Sequence, residues 1–194
     1  IKVKVSEPIV VYREAINGNN VGNPFEGKSP NRHNRFYIEV EMLPQNVVDA
    51  LRAGDFRDGA IRSKDQKEVG DQFAALGMDK DMMRKGYAIN GTNVFINGTK
   101  GIQGLHETRE LLIEGFNEVC KSGPLAGEPA MGMLVRLTDA KLHEDAIHRG
   151  PAQTIPAMRN AMRGAMVRAG TTIMEPMQKM FVSVPNDWLG GVTR

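Results

Sequence analysis

The chain has 194 residues, 41% of them apolar and 25% charged, with a formal net charge of +2. That is enough for one large domain, or one domain and a piece of another, with a core of its own. The near-neutral balance argues against a general polyanion coat, no apolar run approaches the ~20 residues of a membrane-spanning helix, no secretory leader opens the sequence, and the single cysteine, Cys120, excludes an internal disulfide framework and fits a reducing compartment. The sequence begins at Ile1 and stops at Arg194 within a helix-like pattern, so it reads as a fragment of a longer protein.

In chain order, Ile9-Val10-Val11-Tyr12 is β-rich, and Asn17 to Pro30 is a long loop rich in Gly, Asn and Pro. Phe36, Ile38, Val40 and Met42 alternate with more polar neighbours, the period-2 pattern of a half-buried strand. Val47, Val48 and Leu51 suit a short helix ending near Gly54. Ser63-Lys64-Asp65-Gln66 resembles a capping box, with Val69, Phe73 and Leu76 following at helical spacing and Gly77 placed to stop the helix. Asn93 to Asn97 is a short strand. Leu105, Leu112, Phe116 and Val119 form the apolar stripe of a helix halted by Gly123-Pro124. Met133 to Leu137 is strand-like, and Ile155 to Ala169 is a long helix. Met177 to Val184 reads as another strand, with a helix starting at Pro185-Asn186-Asp187. There is no internal repeat or low-complexity tract.

Three local patterns suggest chemistry. Gly22-Asn23-Pro24-Phe25-Glu26-Gly27-Lys28-Ser29 matches the G-x-x-x-x-G-K-[ST] phosphate loop. That motif needs a strand ending at its first glycine and a helix starting near its lysine, and here the residues after it run into a strand instead. A nucleotide-binding enzyme using Lys28 is therefore an alternative and not the main expectation. His143 to His148 resembles a zinc-protease signature with one residue too many; at i, i+5 on a helix the two rings would diverge, so no metal site is expected. Cys120 falls on the apolar side of its helix, as a buried small hydrophobe would. Charge is distributed unevenly: Ala146 to Ile173 carries Arg149, Arg159, Arg163 and Arg168 and no acid, and Gly27 to Tyr37 carries Lys28, Arg32 and Arg35 and no acid. Such clusters fit directed phosphate contact or a solvated basic face equally. With few aromatics beside them, a general RNA-binding module would read phosphates and shape and not stacked bases.

The loop Leu142 to Gln153 lies between the strand at Leu134 and the last long helix, and it concentrates two histidines, two acids and an arginine ahead of Gly150-Pro151. Function concentrates in such loops because a scaffold holds them and solvent reaches them. Ser29-Pro30-Asn31-Arg32-His33-Asn34-Arg35 and His143-Glu144-Asp145-Ala146-Ile147-His148-Arg149-Gly150-Pro151-Ala152-Gln153 closely resemble two loops of the archaeal and eukaryotic translation elongation factor 2 family, and the likeness extends over essentially the whole chain. Arg32 stands where a lysine is common, and Pro151 and Ala152 where eukaryotic members usually have glycines, which points to an archaeal source.

The resemblance implies an α/β (α+β) fold: a ribosomal protein S5 second-domain-like two-layer sandwich with a left-handed βαβ crossover, over residues 1–172. Residues 173–194 would supply the first strand and helix of a ferredoxin-like last domain. It implies a ribosome-engaging domain of the GTP-dependent translocation factor, with His148 converted to diphthamide. His143, Asp145, Ile147 and Gly150 would shape that loop for the modifying enzymes, and Lys28, Asn31, Arg32, His33, Arg149 and Gln153 would contact RNA. The fragment would hold no catalytic site and no cofactor of its own, since GTP and Mg belong to the parent's missing GTPase domain, and Gly22 to Ser29 would be a loop near the tip. The implied partners are the small-subunit decoding centre, tRNA and mRNA, the diphthamide-synthesis enzymes and ADP-ribosylating toxins, for a monomeric cytoplasmic protein without membrane association.

Overall fold

The computed structural model describes residues 10–177, together with 179, 181, 183, 185 and 191. Its centre is a six-stranded mixed sheet built from β2 (Phe25–Lys28), β3 (Arg35–Met42), β4 (Gly59–Ala60), β5 (Gly86–Asn90), β6 (Asn93–Asn97) and β7 (Met133–Lys141), in the order β2-β3-β7-β6-β5-β4. Only β6 and β7 run parallel. Their connection passes through α4 (Arg109–Lys121), because a parallel pair needs a crossover and not a hairpin. A separate antiparallel ribbon joins β1 (Arg13–Ile16) to β8 (Thr171–Met174).

Alternation along β7 divides the interior. Met133, Val135 and Leu137 face a cluster with Phe36, Ile38, Phe95 and Phe116, under α4 and α5 (Pro151–Arg168). Leu134 faces the other way, into a cluster with Val47, Leu51, Phe73 and Val94, under α1 (Gln45–Ala53), α2 (Gln66–Ala75) and the short α3 (Lys80–Met83). The first layer of helices spans the sheet; on the opposite face the β2–β3 half bears charged and half-exposed side chains instead.

The expected helices at Val47, Val69, Leu112 and Ile155 and the expected strands at Phe36, Val94 and Leu134 all form. Phe36, Ile38 and Val40 are buried, but Met42, at the end of the strand, is 54% exposed. Gly54 does end α1, in the left-handed region at φ 86°. Other expectations change. The capping box before α2 does not form: Asp65 occupies the cap and binds Arg62, while Gln66 reaches the carbonyl of Gly86. The early strand lies at Arg13–Ile16 and not at Val10–Tyr12, since its partner β8 sets its position. Phe25–Lys28 is a strand and not a loop near the tip. The last helix starts at Pro151, a turn earlier than its apolar stripe, because Gly150 caps it and proline suits its first position. The expected strand from Met177 to Val184 and the helix after it lie outside the continuously described residues. Among the described residues, no helix is long and apolar enough to cross a membrane.

This order of elements builds one end of the molecule. β7 runs its nine residues, about 30 Å, away from the ribbon, and α5 returns over 18 residues, about 27 Å. The β7–α5 loop and the β2–β3 turn therefore meet at the far end from the ribbon.

Candidate functional site

The β2–β3 turn is closed by its own backbone: Ser29 N–H donates to the Asn34 carbonyl at 2.9 Å and Arg32 N–H to the Ser29 carbonyl at 2.8 Å. Arg32 takes a left-handed conformation at φ 62°, an uncommon state for a residue with a Cβ, and its side chain is exposed. In the β7–α5 loop, the Asp145 carboxylate accepts the Ile147 N–H at 3.1 Å and caps a 3-10 turn, Ala146–Arg149. Gly150 then accepts the Thr154 N–H at 3.0 Å and starts α5.

Asn34, whose side chain is buried, makes two bonds that fasten the loops together and one within its own turn. Its Nδ2 donates to the His148 carbonyl at 2.7 Å and to Ser29 Oγ at 3.3 Å, and its Oδ1 accepts the His143 N–H at 3.0 Å. Asn31 adds a second donor to the same His148 carbonyl at 3.1 Å, and the Gln153 side chain accepts the Asn31 N–H at 2.8 Å. The imidazoles of His33, His143 and His148 gather above this frame, with centroids 4.4 Å apart for His143–His148, 5.0 Å for His33–His143 and 5.3 Å for His33–His148. Asp145 N–H donates to His143 Nδ1 at 3.0 Å, which leaves that ring's proton on Nε2. On a continuous helix the rings of His143 and His148 would diverge. The segment is not a continuous helix, so the rings meet edge to face. Among the described residues, no group of three or more His, Cys, Asp or Glu is arranged to hold a metal ion.

The other named residues divide into presented and supporting groups. His148 is half-buried, His33 and Arg32 are exposed, and Ile147 is 78% exposed. Lys28 is exposed and lies 3.5 Å from Glu26. Asn31 and Gln153 are struts between the loops. Arg149 is the clear departure from the expected surface role. It is buried, pairs with Glu107, and donates to the His143 carbonyl at 3.1 Å, while its own carbonyl accepts the Thr154 hydroxyl at 2.8 Å. Its guanidinium lies so close to Gly104 that a Cβ there would be 2.2 Å from Nη1. It positions the loop from below and does not face outward.

The acid-free stretch after Ala146 likewise reads differently in three dimensions. Arg159 pairs with Glu118 at 3.0 Å, Arg163 donates to the Ser122 carbonyl at 3.1 Å, and Arg168 donates to the Asn23 carbonyl at 3.2 Å while lying over the Phe25 ring. These arginines clamp α5 to its neighbours, so they do not form a free basic stripe. The phosphate-loop match also fails: Phe25–Lys28 is a strand, and a turn and another strand follow Lys28 where a helix is required. Sequence reading missed Asn34, Glu107 and Thr154. Asn34 carried a faint signal as a turn-forming residue before a strand; Glu107 carried none, because only the fold brings it to Arg149.

A mixed sheet covered by helices and ending in two interlocked loops defines the class, a domain of a translation elongation factor, when set beside known proteins. Residues 59–170 match the family described as elongation factor G, domain IV, and the chain belongs to that family. It is 54% identical over 193 residues to elongation factor 2 of Picrophilus torridus, and 48% identical over 194 and 195 residues to those of Methanosphaera stadtmanae and Pyrococcus furiosus. Each match covers 100% of this chain but 26% of the relative, so the chain spans about a quarter of those proteins.

Proposed function

We propose that this chain is the ribosome-engaging domain of a GTP-dependent translocation factor, and that His148 is a diphthamide-type modification site at its tip. Residues 1–172 would form the fourth domain of the parent and 173–194 the start of the last, with β8 lying across that boundary. The fold would be the ribosomal protein S5 second-domain type, its β6–α4–β7 connection left-handed. The observation that carries the reading is the mounting of His148. Its backbone carbonyl is gripped by Asn31 and Asn34 while the ring stays half-exposed beside the exposed Arg32 and His33. A rigid base and an accessible ring suit a side chain that an enzyme must reach and extend.

The modification would add a 3-carboxy-3-aminopropyl group to the imidazole carbon, then trimethylate and amidate it. The product is a long arm with a fixed positive charge and amide donors, fit for tRNA or mRNA phosphates in the decoding centre of the small subunit. Asp145 and Arg149 would hold the loop in the shape the synthesis enzymes recognise, and Ile147 would be the apolar contact they meet first. ADP-ribosylating toxins would find the same ring. GTP and Mg would act in the parent's GTPase domain, and the assembled factor would work as a cytoplasmic monomer. Because the α5 arginines are occupied internally, a general RNA-binding module is the weaker reading. Mass spectrometry of the peptide spanning His148, from protein made in its native host, tests the proposal. A mass increase on His148 is expected; an unmodified peptide would overturn the assignment.

A further inference from the structure

A cavity of about 320 Å³ is lined by Lys85 and Tyr87 where β5 begins, by Asn97 where β6 ends, and by Gln66 and Arg109, the first residues of α2 and α4. Ser63, Arg84 and His106 complete its wall, and among the described residues no acid and no aliphatic side chain shares it. Arg84 is paired with Asp71 at 2.9 Å, and His106 lies 3.9 Å from Glu107. Lys85 and Arg109 have no carboxylate partner among the described residues. Lys85 is exposed, whereas Arg109 is half-buried, lies 5.0 Å from the centroid of the Tyr87 ring and donates to the Ile61 carbonyl.

Tyr87 is 8% exposed and packs edge to face on Phe95, a contact that a phenylalanine would make equally well. Its hydroxyl oxygen accepts Asn97 Nδ2 at 3.0 Å, and among the described residues no acceptor takes the hydroxyl hydrogen. Burial pushes the Tyr87 hydroxyl above its usual range, although the Arg109 guanidinium pulls it the other way. At neutral pH the phenol therefore keeps its proton and is a donor. A buried donor without an acceptor costs stability. Bracing Tyr87 and the Ile61 carbonyl accounts for Arg109, but not for the vacant phenol donor beside two unpaired cations. An oxyanion satisfies all three, because charge-assisted bonds to a phosphate are the strong ones. We propose that this cavity binds a small phosphate monoester, whose dianion takes the Tyr87 hydroxyl and the charges of Lys85 and Arg109. Small-ligand sites start at roughly 300 Å³, so there is room for the body of the ester as well, with Ser63 and Gln66 offering it hydrogen-bonding groups. The proposal does not depend on the reading of His148.

The experiment is titration of this chain with ribose 5-phosphate at constant ionic strength, followed by the backbone amide NMR spectrum. Saturable shifts are expected at Lys85, Tyr87, Asn97 and Arg109, with none from ribose alone and weaker binding of inorganic phosphate. Tyr87→Phe keeps the ring and removes the donor, and should weaken binding about tenfold or more. Lys85→Gln should weaken it similarly while leaving the melting temperature unchanged, since the side chain is exposed. The absence of saturable shifts, or an affinity unchanged in both variants, would overturn the site. Equal affinity for inorganic phosphate would overturn the assignment to an ester. If a short single-stranded RNA shifts these amides and ribose 5-phosphate does not, the wall is a nucleic-acid contact and the small-ligand proposal falls.

Discussion

The carboxamide of Asn34 serves both tip loops at once, giving its hydrogens to Ser29 and His148 and accepting the amide of His143. Truncation would leave the His148 carbonyl with Asn31 as its one remaining donor and the His143 N–H without its acceptor. Asn34→Ala should therefore cost about 1–3 kcal/mol, read as a lowered denaturation midpoint. Asn34→Asp keeps the acceptor and loses the donors, so hydrogen exchange should quicken through residues 146–150 while His143 N–H stays protected. If exchange at those residues is unchanged, Asn34 is not the link between the loops. Cys120 gives a chemical check on burial: loss of hydration pushes its thiol well above the usual range. Folded protein should resist alkylation that proceeds readily in denaturant. The folded state holds this proton more tightly than the unfolded state does. The thiol's contribution is therefore intact below the unfolded value, ~8.5, and is lost as pH rises above it. At this scale the sequence showed that Cys120 would be internal. It could not reveal that Arg149 turns inward, because the partner that draws it there, Glu107, is distant in sequence.

Among the elements, those with a clear period were legible and those shaped by a neighbour were not. β3 alternates, and α4 and α5 keep helical stripes. β5 is buried at four successive positions, Gly86 to Ile89, because the sheet there is covered on both faces; alternation vanishes under such cover. β2 is short, carries a glycine and was obscured by its phosphate-loop likeness. That glycine has a structural reason: a Cβ on Gly27 would lie 2.1 Å from the Ala157 carbonyl oxygen and 2.6 Å from Ala161 Cβ, where β2 and α5 touch backbone to backbone. Gly27→Ala should push helix from strand at a cost of about 1–3 kcal/mol, measured by thermal unfolding. A melting temperature equal to wild type would show that the contact yields freely.

Across the whole molecule, the ribbon is joined to the body through the buried Glu14. Its carboxylate accepts the N–H groups of Leu125, Ala126 and Glu128 at 2.9, 2.9 and 3.1 Å, while its backbone bonds to Pro129 and Met131. Glu14→Gln removes the charge that strengthens these bonds and should lower stability by about 1.5–3 kcal/mol, with exchange quickening first along residues 123–128. No sequence pattern announced this anchor, since a lone glutamate in a strand looks like any solvated one. The antiparallel pairing also sets Arg13 beside Met174 at one end of the ribbon and Ile16 beside Thr171 at the other. The incoming and outgoing tails thus share a single stalk. Tension drawn between the tails would peel the stalk one rung at a time, whereas thrust shared by both would pass down the strands into β7 and α5, so the domain can be driven forward as one piece yet yields when its tails are pulled apart.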